Sequence, residues 1–304
     1  MTMTEPVRRS REIEDFSKRY VIAPLIDWVV PVFAKIGVTP NMVSVGGLLA
    51  GVIAALFLQY YAVSWQYSIA GLVMLLVWHV FDGADGRLAR LTNRQSEFGK
   101  VVDGICDYVV FISIYVVLSL QLMPIYGSGI WFLMVAAGIM HAIQAGAYEL
   151  QRQEFEFWGR GKKSAELPDL NNTKPLGDKA TAWQKFAHAL GLGYARMQYR
   201  SSGIGNSDLR PSLYAYVEGL DEQALQNFRD RYRALNAKQV LQWGIMCPHY
   251  RSFIIVASCL LKRPEIYLII EAFVLPLVHI YLVRMQNTFN ASLLDRLKKT
   301  GDVA

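Results

Sequence analysis

Apolar residues in this chain gather in long blocks, not in the evenly spaced stripes of a soluble amphipathic helix. The blocks run over about residues 42–62, 66–81, 101–123, 130–149, 248–261 and 266–285. A helix needs roughly 20 largely apolar residues to cross a bilayer. The second and fifth blocks are short for that task, and the stretch around the fifth carries Cys247, Pro248, His249 and Arg251. Proline has no N–H to donate and clashes with the preceding turn, so this helix is expected to begin at Pro248 or to bend there. The pattern predicts an all-α integral membrane protein with six transmembrane helices.

The polar stretches between the blocks set the rest of the organisation. Residues 1–38 read as an N-terminal amphipathic surface helix with its flanks. Ile13, Phe16, Tyr20, Trp28 and Phe33 alternate there with Arg11, Lys18, Arg19 and Lys35, the mixture of an interfacial segment. Pro24 and Pro31 are expected to interrupt it. Glu12, Glu14 and Asp15 break any apolar run, which argues against a signal peptide. Thr39 is placed to cap the first span, and Pro40 suits the first helical position, where no N–H bond is lost. Residues 39–150 then hold transmembrane helices 1–4, with a Pro/Gly turn at 124–129. A polar insert fills 151–238, punctuated by Gly and Pro at 159–177 and 201–211. Within it, residues 220–236 place Leu220, Leu225, Phe228, Tyr232 and Leu235 at helical spacing. Residues 239–287 hold helices 5 and 6, and 288–304 form a tail.

Charge orients this layout. The chain has 304 residues, is 53% hydrophobic and carries a net charge of +6, and its Lys and Arg crowd the N-terminus, 87–100, the insert and the tail. Positive loops stay inside, so these four regions are expected in the cytoplasm of a bacterial cell, around a multi-pass inner-membrane protein. The turns near 63–65 and 124–129 carry no Lys or Arg; Lys262 and Arg263 are the exception on the outer side. Tyr60, Tyr61, Trp65, Tyr126 and Trp131 fall at the outer ends, where they read as interface anchors. No nucleic-acid-binding pattern accompanies the basic residues. Cys106, Cys247 and Cys259 are odd in number and none lies in a CxxC pair, which argues against a disulfide framework or a zinc knuckle.

The chemistry concentrates at the boundary between spans two and three. Acidic residues in spans are expensive and mark function. At about 100° per residue, Asp82, Asp85, Gly86 and Ala89 share one helix face. Asp103 and Asp107, four apart, share another. A turn near 91–97 folds the two helices together, so four carboxylates converge. Hard divalent cations with oxygen ligands relieve their repulsion, with Mg²⁺ or Mn²⁺ the best fit. Gly86, Ala89 and Gly99 leave the backbone bare for a bulky ligand, and Arg90 beside them can pair with phosphate. Carboxylates, metal, bare faces and an arginine together describe a pyrophosphate site.

The pattern Asp82-x2-Asp85-Gly86-x2-Ala89-Arg90-x8-Gly99-x3-Asp103-x3-Asp107 resembles the signature of the CDP-alcohol phosphotransferases, also called CDP-alcohol phosphatidyltransferases, with every signature position filled. The resemblance extends to the surface helix, the Thr-Pro-Asn entry to span one and the six-helix core, but not to the 151–238 insert. It implies a metal-dependent enzyme of phospholipid biosynthesis that transfers a substituted phosphate to an alcohol and releases CMP. Asp82, Asp85, Asp103 and Asp107 would hold two metal ions, with Asp107 also the general base. Gly86, Ala89, Arg90 and Gly99 would receive the CDP donor, expected to be CDP-diacylglycerol with a small alcohol as acceptor. The alternative donor is CDP-choline or CDP-ethanolamine, with diacylglycerol or ceramide as the lipid alcohol. A divalent cation transporter lined by the same carboxylates is the remote alternative, disfavoured by their tight spacing at one membrane face. Arg251, His249 and Gln144 are the candidates for the acceptor site. The resemblance also implies membrane-lipid partners and a homodimer.

Overall fold

The structure, a computed structural model, describes residues 10–95, 97–167, 170, 181–204 and 209–299. Among the described residues all regular structure is helical. The α-helices are α1 (Ala23–Lys35), α2 (Pro40–Leu58), α3 (Trp65–Leu91), α4 (Glu97–Tyr126), α5 (Ile130–Arg160), α6 (Ala182–Ser202), α7 (Leu209–Glu218), α8 (Glu222–Trp243), α9 (Pro248–Leu260), α10 (Glu265–Ile269) and α11 (Leu275–Lys299). A π turn over Ile270–Val274 links α10 to α11.

Among the described residues, four stretches are long and apolar enough to cross a membrane: Pro40–Leu58, Trp65–Leu91, Asp103–Arg160 and Glu265–Lys298. The third contains both α4 and α5, joined by the short turn Gly127–Gly129. Helix α9 starts at Pro248 and has 13 residues, about 20 Å of helix against roughly 30 Å of hydrocarbon. Two of the six predicted blocks therefore lie in one stretch, and the fifth gives a helix short of a full crossing.

Two boundaries differ from the apolar pattern. Helix α3 runs on past residue 81 to Leu91 and α5 past 149 to Arg160, because loss of apolarity does not itself end a helix. What ends α3 is Asn93, at φ 52°, a left-handed position that Asn tolerates. Helix α1 also departs from expectation. Pro24 sits in its first turn, where the missing N–H has no partner to lose. The helix then continues through Pro31 to Lys35. Its buried residues are Ala23, Ile26 and Val30, while Leu25, Trp28 and Val32 are exposed, so apolar groups occupy both faces.

The chain divides into two compact units. The first comprises residues up to His141 together with Cys247–Leu275, and the second Ala142–Met246 together with Pro276 onward. In the first, α2, α3 and α4 pack around Leu58, Leu75, Trp78, Val110 and Ile114. Gly51 lets α2 approach α4: a Cβ added there would fall inside the contact distance of both Val110 methyl groups. Val110 is fully enclosed and has nowhere to move. Gly51→Ala is therefore expected to lower stability by about 1–3 kcal/mol, read as a lower thermal midpoint in detergent. Gly129→Ala, where a Cβ meets nothing within 4 Å, should show no such loss. In the second unit Trp158, Leu213, Phe228, Tyr232, Phe289 and Leu293 form a separate core.

Candidate active site

The site is built on α2, α3 and α4, which follow one another in the chain. The Thr39 hydroxyl accepts from the Met42 N–H at 3.3 Å and starts α2 with Pro40 in its first turn. One turn later, Ser44 Oγ donates to Asp85 Oδ2 at 2.5 Å. The other oxygen of Asp85 accepts from the Gly86 N–H, and Asp85 is buried. Asp82, Asp103 and Asp107 each offer a carboxylate oxygen, and these three oxygens lie within 4.8 Å of one another. Asp85 joins the group through a hydrogen-bond contact with Asp103. The Trp78 side chain hydrogen-bonds Asp107.

Electrostatics says what this arrangement needs. At an effective dielectric of about 20, two carboxylates 4.8 Å apart repel by roughly 3 kcal/mol. Two carboxylate oxygens in hydrogen-bond contact must also share a proton or a cation between them. The donor set is all hard oxygen, the choice of Mg²⁺, Mn²⁺ or Ca²⁺ and not of soft metals. These residues fit a divalent ion.

Beside the carboxylates, α3 presents an open face. A Cβ built on Gly86 would meet only Arg90 Nη1, at 3.5 Å, so the guanidinium lies along this bare surface. Ala89 is partly exposed on the next turn, and Gly99 lies in the first turn of α4. Gly83 serves the opposite purpose: a Cβ there would collide with Ile26 of α1. The Arg87 guanidinium reinforces the same junction by pairing with Asp27 of α1. Thus α1 is seated against the motif helix, while among the described residues only Arg90 approaches Gly86.

The three acceptor candidates occupy different surroundings. Arg251 is fully enclosed, and its Nε donates to Glu271 Oε2 at 2.9 Å. The same carboxylate oxygen accepts from Tyr267 OH at 3.1 Å, and Tyr267 OH meets Tyr115 OH at 2.5 Å. Tyr115 OH in turn lies 2.8 Å from His141 Nδ1. His249 lies near Asp15 and Cys247, with its ring 4.6 Å from that of His79. Gln144 is buried on α5 within the second unit.

Sequence reasoning missed Ser44 and Trp78. In the sequence, Ser44-Val45-Gly46-Gly47 reads as helix packing with small residues, and a Cβ on Gly47 does approach Phe81 and Trp78. The extra signal was a hydroxyl in that segment opposite a helix bearing unpaired carboxylates. Ligand-supporting groups of this kind are worth about 10–100-fold in metal affinity or activity. Ser44→Ala is expected to weaken metal binding about tenfold, measured by titrating Mg²⁺ or Mn²⁺ against activity. Saturating metal should recover most of the turnover.

The segment that carries this motif is similar to known proteins. The family model described as CDP-alcohol phosphatidyltransferase matches residues 37–165, which include every residue of the acidic motif. The chain is 35% identical over 72 residues to a CDP-diacylglycerol–serine O-phosphatidyltransferase of Helicobacter pylori strain J99. It is 33% identical over 72 residues to the protein of the same name from strain 26695. In both cases the aligned stretch is 24% of this chain and spans 28% of the relative's length. Together with its long apolar helices, the match makes this an integral membrane protein.

Proposed function

We propose, from the match of residues 37–165 to the CDP-alcohol phosphatidyltransferase family model, that the protein transfers a phosphatidyl group from CDP-diacylglycerol to a small alcohol, releasing CMP. The observation that carries this reading is the convergence of Asp82, Asp103 and Asp107 within 4.8 Å, beside a helix face left bare at Gly86. Asp82, Asp85, Asp103 and Asp107 would hold two divalent ions, Mg²⁺ or Mn²⁺. Bound there, the ions would supply charge neutralisation for the diphosphate and its departing phosphate.

The chain's own groups do the rest. Gly86, Ala89 and Gly99 let the nucleotide diphosphate approach the backbone, and Arg90 pairs with its phosphate oxygens. Asp107 accepts the proton of the acceptor hydroxyl as that oxygen attacks the β-phosphorus. The bond from the β-phosphorus to the bridging oxygen breaks, and CMP leaves with that oxygen. Trp78 and Ser44 hold Asp107 and Asp85 in place by hydrogen bonds.

Serine is the first acceptor to consider, because the two relatives carry it in their names. We assign Arg251 and Gln144 to acceptor recognition; His249, held between Asp15 and Cys247, is set aside from that role. Six helices crossing the membrane, α1 at the interface and the motif facing the cytoplasm complete the reading, supported by the distribution of Lys and Arg. A homodimer is part of the same proposal.

The test is CMP release by the purified protein with CDP-diacylglycerol, Mg²⁺ or Mn²⁺, and serine, inositol, inositol phosphate, glycerol phosphate or choline added singly. Acceptor-dependent release that a chelator abolishes supports the proposal and names the substrate. Release only with CDP-choline or CDP-ethanolamine and a lipid alcohol would reverse the donor assignment.

A further inference from the structure

A second cluster of ligating side chains lies in the first unit, formed by residues far apart in the chain. Asp15 belongs to the segment before α1, and Cys247 and His249 flank the proline that starts α9. Asp15, Cys247 and His249 are 6%, 1% and 8% exposed. One atom from each, a carboxylate oxygen, a sulfur and a ring nitrogen, falls within 4.8 Å of the other two.

The three side chains meet through long polar contacts, and their spacing also suits a metal ion. His249 Nδ1 lies 3.5 Å from Asp15 Oδ2 and 3.7 Å from Cys247 Sγ. A single ring nitrogen cannot donate one proton well to both, and 3.5 Å is long for a hydrogen bond to a carboxylate. Zinc bonds of about 2.3 Å to sulfur and about 2.0 Å to nitrogen and oxygen, set tetrahedrally, separate S and N by about 3.6 Å and N and O by about 3.3 Å. The observed separations lie close to those edges.

Asp15 is also arranged as a ligand. Its Oδ1 accepts from Ser17 Oγ at 2.5 Å and from the Lys18 N–H at 3.0 Å. Its Oδ2 has no hydrogen-bond partner among the described residues, although it is buried and turned toward His249. Hydrogen bonds that fix one carboxylate oxygen while the other is turned toward the imidazole are the outer support that metal ligands receive.

We propose that Asp15, Cys247 and His249 bind one zinc ion, with water completing a tetrahedral site. A thiolate and an imidazole select zinc over the oxygen-seeking ions suited to the aspartate cluster. The ion fastens the segment before α1 to the start of α9. This inference is independent of the proposed transferase activity.

The experiment uses the full chain, purified in detergent, stripped with chelator and reloaded. After zinc loading and desalting with Mg²⁺ in excess, about one equivalent of zinc per chain should remain, falling at least tenfold in Cys247→Ala. Asp107→Asn should retain it. Cobalt gives a readout that does not depend on a variant folding. Co²⁺ added to the stripped wild-type protein should produce a thiolate-to-cobalt charge-transfer band in the near ultraviolet, which a site of oxygen ligands cannot give. That band should survive Cys106→Ala and disappear in Cys247→Ala. A wild-type protein with neither retained zinc nor the cobalt band would overturn the proposal, as would a band that persists without Cys247.

Discussion

Asp107→Asn is expected to abolish CMP release while leaving donor binding largely intact. The substitution keeps the size of the side chain but removes its charge and its ability to accept the acceptor's proton. A positioned general base contributes about 10²–10⁴-fold, and loss of one metal-facing oxygen adds to that. On the proposed reading Asp82, Asp85 and Asp103 still hold the ions and the diphosphate, so the apparent donor affinity should move much less than turnover. Steady-state kinetics with CDP-diacylglycerol as the varied substrate separates the two. Near-normal turnover would remove Asp107 from the role of base. A loss confined to donor affinity would make it a binding residue only.

Gly86→Leu should have the opposite signature. Among the described residues a Cβ at Gly86 meets only the Arg90 guanidinium, 3.5 Å away, which leaves room for a larger side chain. Stability should therefore hold, apart from the small gain of replacing a helical glycine. The donor loses its approach to the backbone and has Arg90 displaced from beside it. Overpacking of about 1–3 kcal/mol corresponds to a loss of roughly 5–150-fold in donor affinity. Direct binding of CDP or CDP-diacylglycerol, read beside thermal stability, checks both halves of the expectation. Unchanged donor affinity in a stable Gly86→Leu protein would place the nucleotide elsewhere.

What could be read from the sequence divides along the range of the interactions involved. The convergence of Asp82, Asp85, Asp103 and Asp107 was legible because helical periodicity is local: two spacings, one on each helix, and one short turn bring their carboxylates together. The start of α9 at Pro248 was legible for the same reason. The Ser44–Asp85 and Trp78–Asp107 bonds were not, because each depends on which face of one helix meets another. The far ends of α3 and α5 were misplaced because apolarity marks where a helix meets lipid, not where its hydrogen bonding stops. Within the polar insert, the apolar spacing at 220–236 marked α8, which extends to Trp243. There Phe228, Tyr232 and Trp243 are buried, Phe228 and Tyr232 against a core partly supplied by α11. The partnership of Asp15 with Cys247 and His249 had no local signature at all.

That division by range also bears on how the molecule comes into being. Ser44, Trp78 and all four aspartates lie between residues 44 and 107, on three helices joined by the short connections after Leu58 and Leu91. Contacts so near in sequence close small loops, with little entropy to overcome, and form early. The reactive centre can therefore take shape while the C-terminal half is still being synthesised, and its crowded negative charges need a cation from that moment. Asp15 must instead wait for Cys247, so the proposed zinc link between the segment before α1 and the start of α9 can form only after α8 has been synthesised.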